Sequence, residues 1–157
     1  MGIKGINHLA LVTDYMDKTV RFYRDKLGMK VVGTTGREIA GKSFRHYCFS
    51  LGKGSTIAFF QWPDSELPPR KDSGVPATGR NFDHLAINLE SEADLIAMQG
   101  QARAAGIPAT DVVDHGIVHS ICCEDPNGIS LEFSVWMKDL EEAPWFGDPD
   151  PVPAMGD

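Results

Sequence analysis

Two stretches of the chain carry the same order of apolar and polar positions. Gly5-Ile6-Asn7-His8-Leu9-Ala10-Leu11-Val12 is matched 76 positions later by Asn81-Phe82-Asp83-His84-Leu85-Ala86-Ile87-Asn88. Both stretches are short, apolar and β-prone, and each is succeeded by a helical signal. Asp14 stands where an N-cap belongs, ahead of Met16, Val20, Tyr23 and Leu27 at helical spacing. Ser91 with Asp94 makes the corresponding start ahead of Leu95, Met98, Ala102 and Ala105. Gly28 and Gly106 then sit where a helix end needs a left-handed residue.

The segments beyond the two helices also repeat. Residues 29–35 and 107–113 read as strands. A hairpin over 43–51 and 55–62 turns through Gly52-Lys53-Gly54, and one over 117–124 and 129–136 turns through Asp125-Pro126-Asn127-Gly128. Both hairpins end in tryptophan, Trp62 and Trp136. The pattern predicts an α+β domain of two tandem βαβββ modules, at about 3–63 and 81–137. A linker over 64–80, rich in proline, glycine and charge, joins them. The chain closes with an acidic, proline-rich tail over 138–157, in which Trp145 and Phe146 suit an arm laid over a neighbour.

Composition narrows the function. The chain has 157 residues, enough to bury a core without disulfide or metal staples. Its net charge of −7 and scattered basic residues argue against nucleic acid, whose phosphates need clustered Lys and Arg. No apolar run reaches the length of a membrane span. The residues before Asp14 hold no signal-peptide apolar run, and Cys48, Cys122 and Cys123 lack zinc or redox spacing. Buried, reduced thiols and a cytoplasmic protein are therefore expected.

The alternation of strand side chains identifies candidate chemistry. His8 and His84 occupy equivalent places in the two first strands. Glu132 lies on the opposite face from Leu131 and Phe133, and a carboxylate in so apolar a strand needs a partner. Two imidazoles and a carboxylate form the facial triad of Fe(II) sites, with positions left for substrate. His8, His84 and Glu132 are thus the expected metal ligands. His46 and His119 are candidates for proton transfer, and Phe49, Phe60, Trp62 and Trp136 for the walls of the pocket.

Three runs resemble the vicinal oxygen chelate superfamily: His8-Leu9-Ala10-Leu11-Val12, Phe22-Tyr23-Arg24-Asp25-Lys26-Leu27-Gly28, and the segment from Glu124 through Asp125-Pro126-Asn127-Gly128 to Glu132-Phe133. The superfamily includes glyoxalase I, type I extradiol dioxygenases, methylmalonyl-CoA epimerase and the fosfomycin and bleomycin resistance proteins. The resemblance covers roughly residues 3 to 137. It implies modules curved into a cup-like mixed sheet around a metal site, a small-molecule substrate and a homodimer. In that family the first module faces the chain's own second module or a partner's.

The same resemblance points to a fourth ligand place at Ala58, where glyoxalase I-like proteins usually carry Glu and the epimerases Gln. Ala58 cannot ligate, and Gln61 has the wrong strand parity. A three-ligand set resembles the extradiol dioxygenases, with Fe(II) or Mn(II) ahead of Zn(II) or Ni(II). Their acid–base histidine and tyrosine positions are Ser55 and Cys122 here, which leaves His46 or His119 to substitute. The fosfomycin thiol transferases also use three ligands, but the threonine they place two residues after the first histidine is Ala10. The expected function is therefore a metal-dependent, extradiol-dioxygenase-like enzyme. The alternatives are a glyoxalase I-like lyase or epimerase-like isomerase, and a non-enzymatic binding protein of the bleomycin-resistance kind.

Overall fold

A computed structural model describes residues 6–39, 41–63, 84–140, 142–144 and 146. The linker over 64–80, the start of the second repeat (81–83), Trp145 and the tail from 147 onward lie outside the described residues. Strands β1 (His8–Val12), β2 (Val31–Ile39), β3 (Lys42–Gly52) and β4 (Ser55–Gln61) form one sheet in the order β1-β4-β3-β2. Strands β5 (Leu85–Asn88), β6 (Val113–Asp114), β7 (Val118–Glu124) and β8 (Ser130–Trp136) form a second sheet in the order β5-β8-β7-β6. In each sheet the first and last strands pair in parallel and the others antiparallel. The two sheets therefore share one topology, the expected α+β arrangement of paired βαβββ modules.

Helix α1 (Met16–Val20) continues as a π-helical turn over Arg21–Lys26, closed by Leu27 N–H donating to the Phe22 carbonyl at 3.1 Å. Its entry differs from the sequence expectation. The N-cap residue is Tyr15, and the Thr13 hydroxyl, not Asp14, accepts the Tyr15 N–H at 3.1 Å. Thr13 is the residue turned inward there, 2 % exposed and bonded to Thr19, so its hydroxyl lies under the first turn. Helix α2 (Glu92–Ala104) starts as expected, with Ser91 Oγ accepting the Asp94 N–H. Gly28 and Gly106 come just after the two helices with φ of 74° and 73°, which β-carbon-bearing residues adopt only at a cost.

In place of the strand expected over 107–113 there is a two-residue strand at its far end, Val113–Asp114. Pro108 has no N–H to give a ladder. At Thr110 the side chain substitutes for the backbone, since its hydroxyl accepts the Cys122 N–H at 2.9 Å while its own N–H donates to the Cys122 carbonyl at 3.0 Å.

One core joins the modules. Tyr23, Phe49, Ile57 and Phe59 from the first cluster with Leu95, Ile121, Leu131 and Phe133 from the second. A buried polar link crosses the same boundary. Tyr23 Oη donates to Asp125 at 3.0 Å, and Asn127 bonds both Thr13 and Thr19. Among the described residues no helix is long and apolar enough to cross a membrane.

Candidate metal-binding face

Strand register sorts the side chains of each sheet onto two faces. In β8, Leu131, Phe133 and Val135 enter the core beneath the helices. Glu132, Ser134 and Trp136 take the other face by alternation. Glu132 pairs with Cys122 on β7 and Ala86 on β5. His84 precedes β5 with the parity of Ala86, so its ring reaches the same face. Its Nε2 lies 2.7 Å from Glu132 Oε2, with side chains 26 % and 14 % exposed. Two donors held at a right angle about 2.1 Å from one cation are about 3 Å apart. At 2.7 Å the contact is a hydrogen bond between the two side chains, somewhat shorter than that spacing, and both atoms are of kinds that ligate divalent ions.

The first sheet repeats the arrangement with one change. Ala58 pairs with Cys48 and Ala10, as Glu132 pairs with Cys122 and Ala86. Ala58 is fully buried at the place equivalent to the carboxylate. Gln61 does not reach this face. It pairs with Arg45, accepts from the Arg45 guanidinium at 3.2 Å and donates to the Asp14 carbonyl at 2.6 Å.

His8 is the counterpart of His84. Its Nδ1–H donates to Asn7 Oδ1 at 2.8 Å, which leaves the Nε2 lone pair outward, as a metal-ligating histidine requires. Within one chain, however, His8 neighbours His46 and not the His84–Glu132 pair. Among the described residues no group of three His, Cys, Asp or Glu side chains converges on a common point. The structure brings together two of the three expected ligands.

His46 lies on the His8 face. Its ring stacks on Phe60 at 3.9 Å, and Phe60 stacks on Trp62 at 5.5 Å. Burial, and then the neighbouring His8, hold its pKa below the usual imidazole value. Its Nε2 is buried without a hydrogen-bond partner among the described residues. Ser120 Oγ, at the equivalent place on β7, is in the same condition. Sequence reasoning passed over Ser120 and Ser134, although both share the alternation of Glu132.

His119 is elsewhere. It pairs with Val135 on the helix-facing side and lies between Glu92 at 2.6 Å and Asp114 at 3.2 Å, so the sheet separates it from Glu132. Phe49 likewise belongs to the core, fully buried against Tyr23, and is not a wall of the face that carries His84 and Glu132. Trp136 is half exposed at the end of β8. The three cysteines are free thiols, with Cys123 buried and Cys48 and Cys122 half-buried. Burial pushes the Cys123 thiol up to about 11, and burial, with a further push from the Glu132 charge, raises Cys122.

A duplicated βαβββ fold with a histidine–carboxylate pair on one sheet face defines a class, and comparison with known proteins agrees. The chain belongs to the Glyoxalase/Bleomycin resistance protein/Dioxygenase superfamily, whose family model matches residues 5–133. It is 34 % identical over 91 residues to YwkD of Bacillus subtilis (strain 168), an alignment covering 58 % of this chain and 66 % of that protein, just under two thirds of its length. The fold is similar to a glyoxalase family protein from Enterococcus faecalis, with TM-score 0.61, 26 % identity, and 85 % and 99 % of the two chains covered. It is also similar to a lactoylglutathione lyase from Agrobacterium tumefaciens, with TM-score 0.60, 22 % identity, and 86 % and 96 % covered. Members of this superfamily commonly use divalent metals and bind small molecules.

Proposed function

We propose that the protein is a metal-dependent enzyme that binds vicinal oxygens of a small substrate, with extradiol-dioxygenase-like chemistry. The observation carrying this reading is the His84–Glu132 pair, 2.7 Å apart, set in a repeat whose matching carboxylate place is Ala58. His8 supplies the third ligand from a second copy of the chain. Module one of one protomer, bearing His8 and His46, then faces module two of its partner, and a symmetric dimer contains two such sites.

A bound divalent ion would draw adjacent hydroxyls toward deprotonation and, if redox-active, permit reaction with O₂. The remaining work falls to the chain. Phe60 and Trp62 present an apolar wall suited to a ring. His46, whose pKa burial holds below the usual imidazole value, is the candidate to accept or return a substrate proton. Glu132 is the single anionic ligand, and Ala58, at the matching place, supplies no second carboxylate. That lack counts against a glyoxalase I-like lyase or an epimerase-like isomerase, for which the resemblance puts Glu or Gln there.

The test is anaerobic reconstitution with Fe(II), Mn(II), Zn(II) or Ni(II), and then addition of catechols with O₂ and, separately, hemithioacetals without it. We expect turnover of a catechol only with Fe(II) or Mn(II), with O₂ consumed and activity abolished in Glu132→Ala. Hemithioacetal turnover with Zn(II) or Ni(II) in the absence of O₂ would replace this reading with the lyase one.

A further inference from the structure

On the other face of the first sheet, helix α1, its π-helical continuation, β3 and the end of β4 line an open cavity of about 410 Å³. Arg45 and Tyr47 alternate with His46, so the sheet separates this cavity from the metal-binding face. Its lining combines apolar surface from Met16, Val20 and the Tyr47 ring with the side chains of Arg21, Arg24 and Arg45. The lining thus brings three guanidinium groups together, of which Arg21 and Arg24 have carboxylate partners, Asp17 and Asp25, and Arg45 has none among the described residues.

The three arginines are not equally engaged. Arg21 is paired with Asp17 and Arg24 with Asp25, in both cases through exposed contacts of the kind that exchange readily with solvent. Arg45 has no carboxylate partner among the described residues. One of its terminal nitrogens donates to the neutral Gln61 amide, which is itself held by the Asp14 carbonyl. Gln61 therefore orients the guanidinium and leaves its other N–H donors without a protein acceptor among the described residues. A planar fork of such donors matches the paired oxygens of a carboxylate or phosphate. The Tyr47 hydroxyl, also without a hydrogen-bond partner among the described residues, adds a donor to the lining.

We infer that this cavity binds a small molecule carrying a carboxylate or phosphate on a compact apolar body, independently of the metal-binding face. The oxyanion is held by Arg45, with Arg21 and Arg24 closing over it, and the apolar part rests on Met16, Val20 and Tyr47.

The test tracks the arginine Nε–H and backbone amide NMR signals of the full-length ¹⁵N-labelled protein. Inorganic phosphate and benzoate are titrated separately, at ionic strength held constant with sodium chloride. Saturable shifts at Arg45, Tyr47 and Gln61 are expected for one ion or both, and which ion saturates distinguishes phosphate from carboxylate. Arg45→Gln should weaken binding about tenfold, the loss of one charge-assisted hydrogen-bond pair. Arg103→Gln, which alters an exposed arginine bonded to Asp111 on the second module, should leave affinity unchanged, and so should Glu132→Ala. Should Arg45→Gln fail to fold, Arg24→Gln, at an exposed side chain, supplies the same comparison with a smaller loss. Shifts that grow linearly without saturation for both ions would overturn the inference. Equal weakening by Arg103→Gln, or loss of binding in Glu132→Ala, would do the same.

Discussion

Ala58 and Glu132 hold equivalent register positions, and the difference between a methyl and a carboxylate there shapes what the site can do. Both neighbours of Ala58 across the ladder are small, Ala10 and Cys48. Ala58→Glu would place a carboxylate at a position now fully buried. Without a cation that charge is costly to bury. With one it becomes a further ligand beside His8. We expect the metal-free variant to melt several degrees below wild type, and its metal to leave for a chelator at least about tenfold more slowly, a gain of about 1.4 kcal/mol. Differential scanning calorimetry and a colorimetric chelator assay measure the two effects. Unchanged metal release would show that residue 58 lies away from the cation. This residue was legible from the sequence, because strand alternation and the repeat interval are local properties of the chain.

At the scale of elements, the contact between the π-helical turn and the β7–β8 turn fixes one module on the other. Asp125, 3 % exposed, accepts from the Asn127 and Ile129 amides at 2.8 and 2.9 Å and from the fully buried Tyr23 hydroxyl at 3.0 Å. The amide bonds shape the turn that leads into β8 and Glu132. The Tyr23 bond ties that turn to module one. Tyr23→Phe keeps the ring packing on Phe49 and Phe59 and removes the bond to the carboxylate. It should therefore lower stability by about 1.5–3 kcal/mol, the range for a hydrogen bond to a charged group. Urea unfolding should show this as a lower midpoint with an unchanged slope. A loss below about 0.5 kcal/mol would mean that the link adds no net stability. Both residues belong to runs that stood out in the sequence, but nothing in the sequence says that they touch, since 102 positions separate them.

For the whole molecule, the arrangement of modules decides whether the site is complete. If His8 reaches the His84–Glu132 pair of a second copy, His8→Ala and Glu132→Ala each disable every site in their own dimers. A mixed dimer, by contrast, keeps one intact site, with His8 from one protomer and His84 and Glu132 from the other. Unfolding and refolding an equimolar mixture should restore about a quarter of wild-type metal content and activity, since random pairing makes half the dimers mixed. No restoration would indicate ligands drawn from a single chain. Sedimentation of the wild-type protein should accordingly show a dimer.

What the sequence by itself determined is what depends on neighbours along the chain: the repeated module, the helix ends at Gly28 and Gly106, the equivalence of His8 and His84, and the alanine at the place that repeats Glu132. These come from a period of two along strands, from capping chemistry and from a constant interval between repeats. Only the tertiary structure decided what depends on distant contacts. It put Phe49 in the core and not on the metal-binding face. It turned His119 toward Glu92 and Asp114, and drew Thr13 inward beneath the start of the first helix. It also separated His8 from its expected partners within the chain. Which face of a sheet meets a helix, and which module meets which, is set by burial of apolar surface shared between segments far apart in sequence, and a local pattern carries no record of that choice.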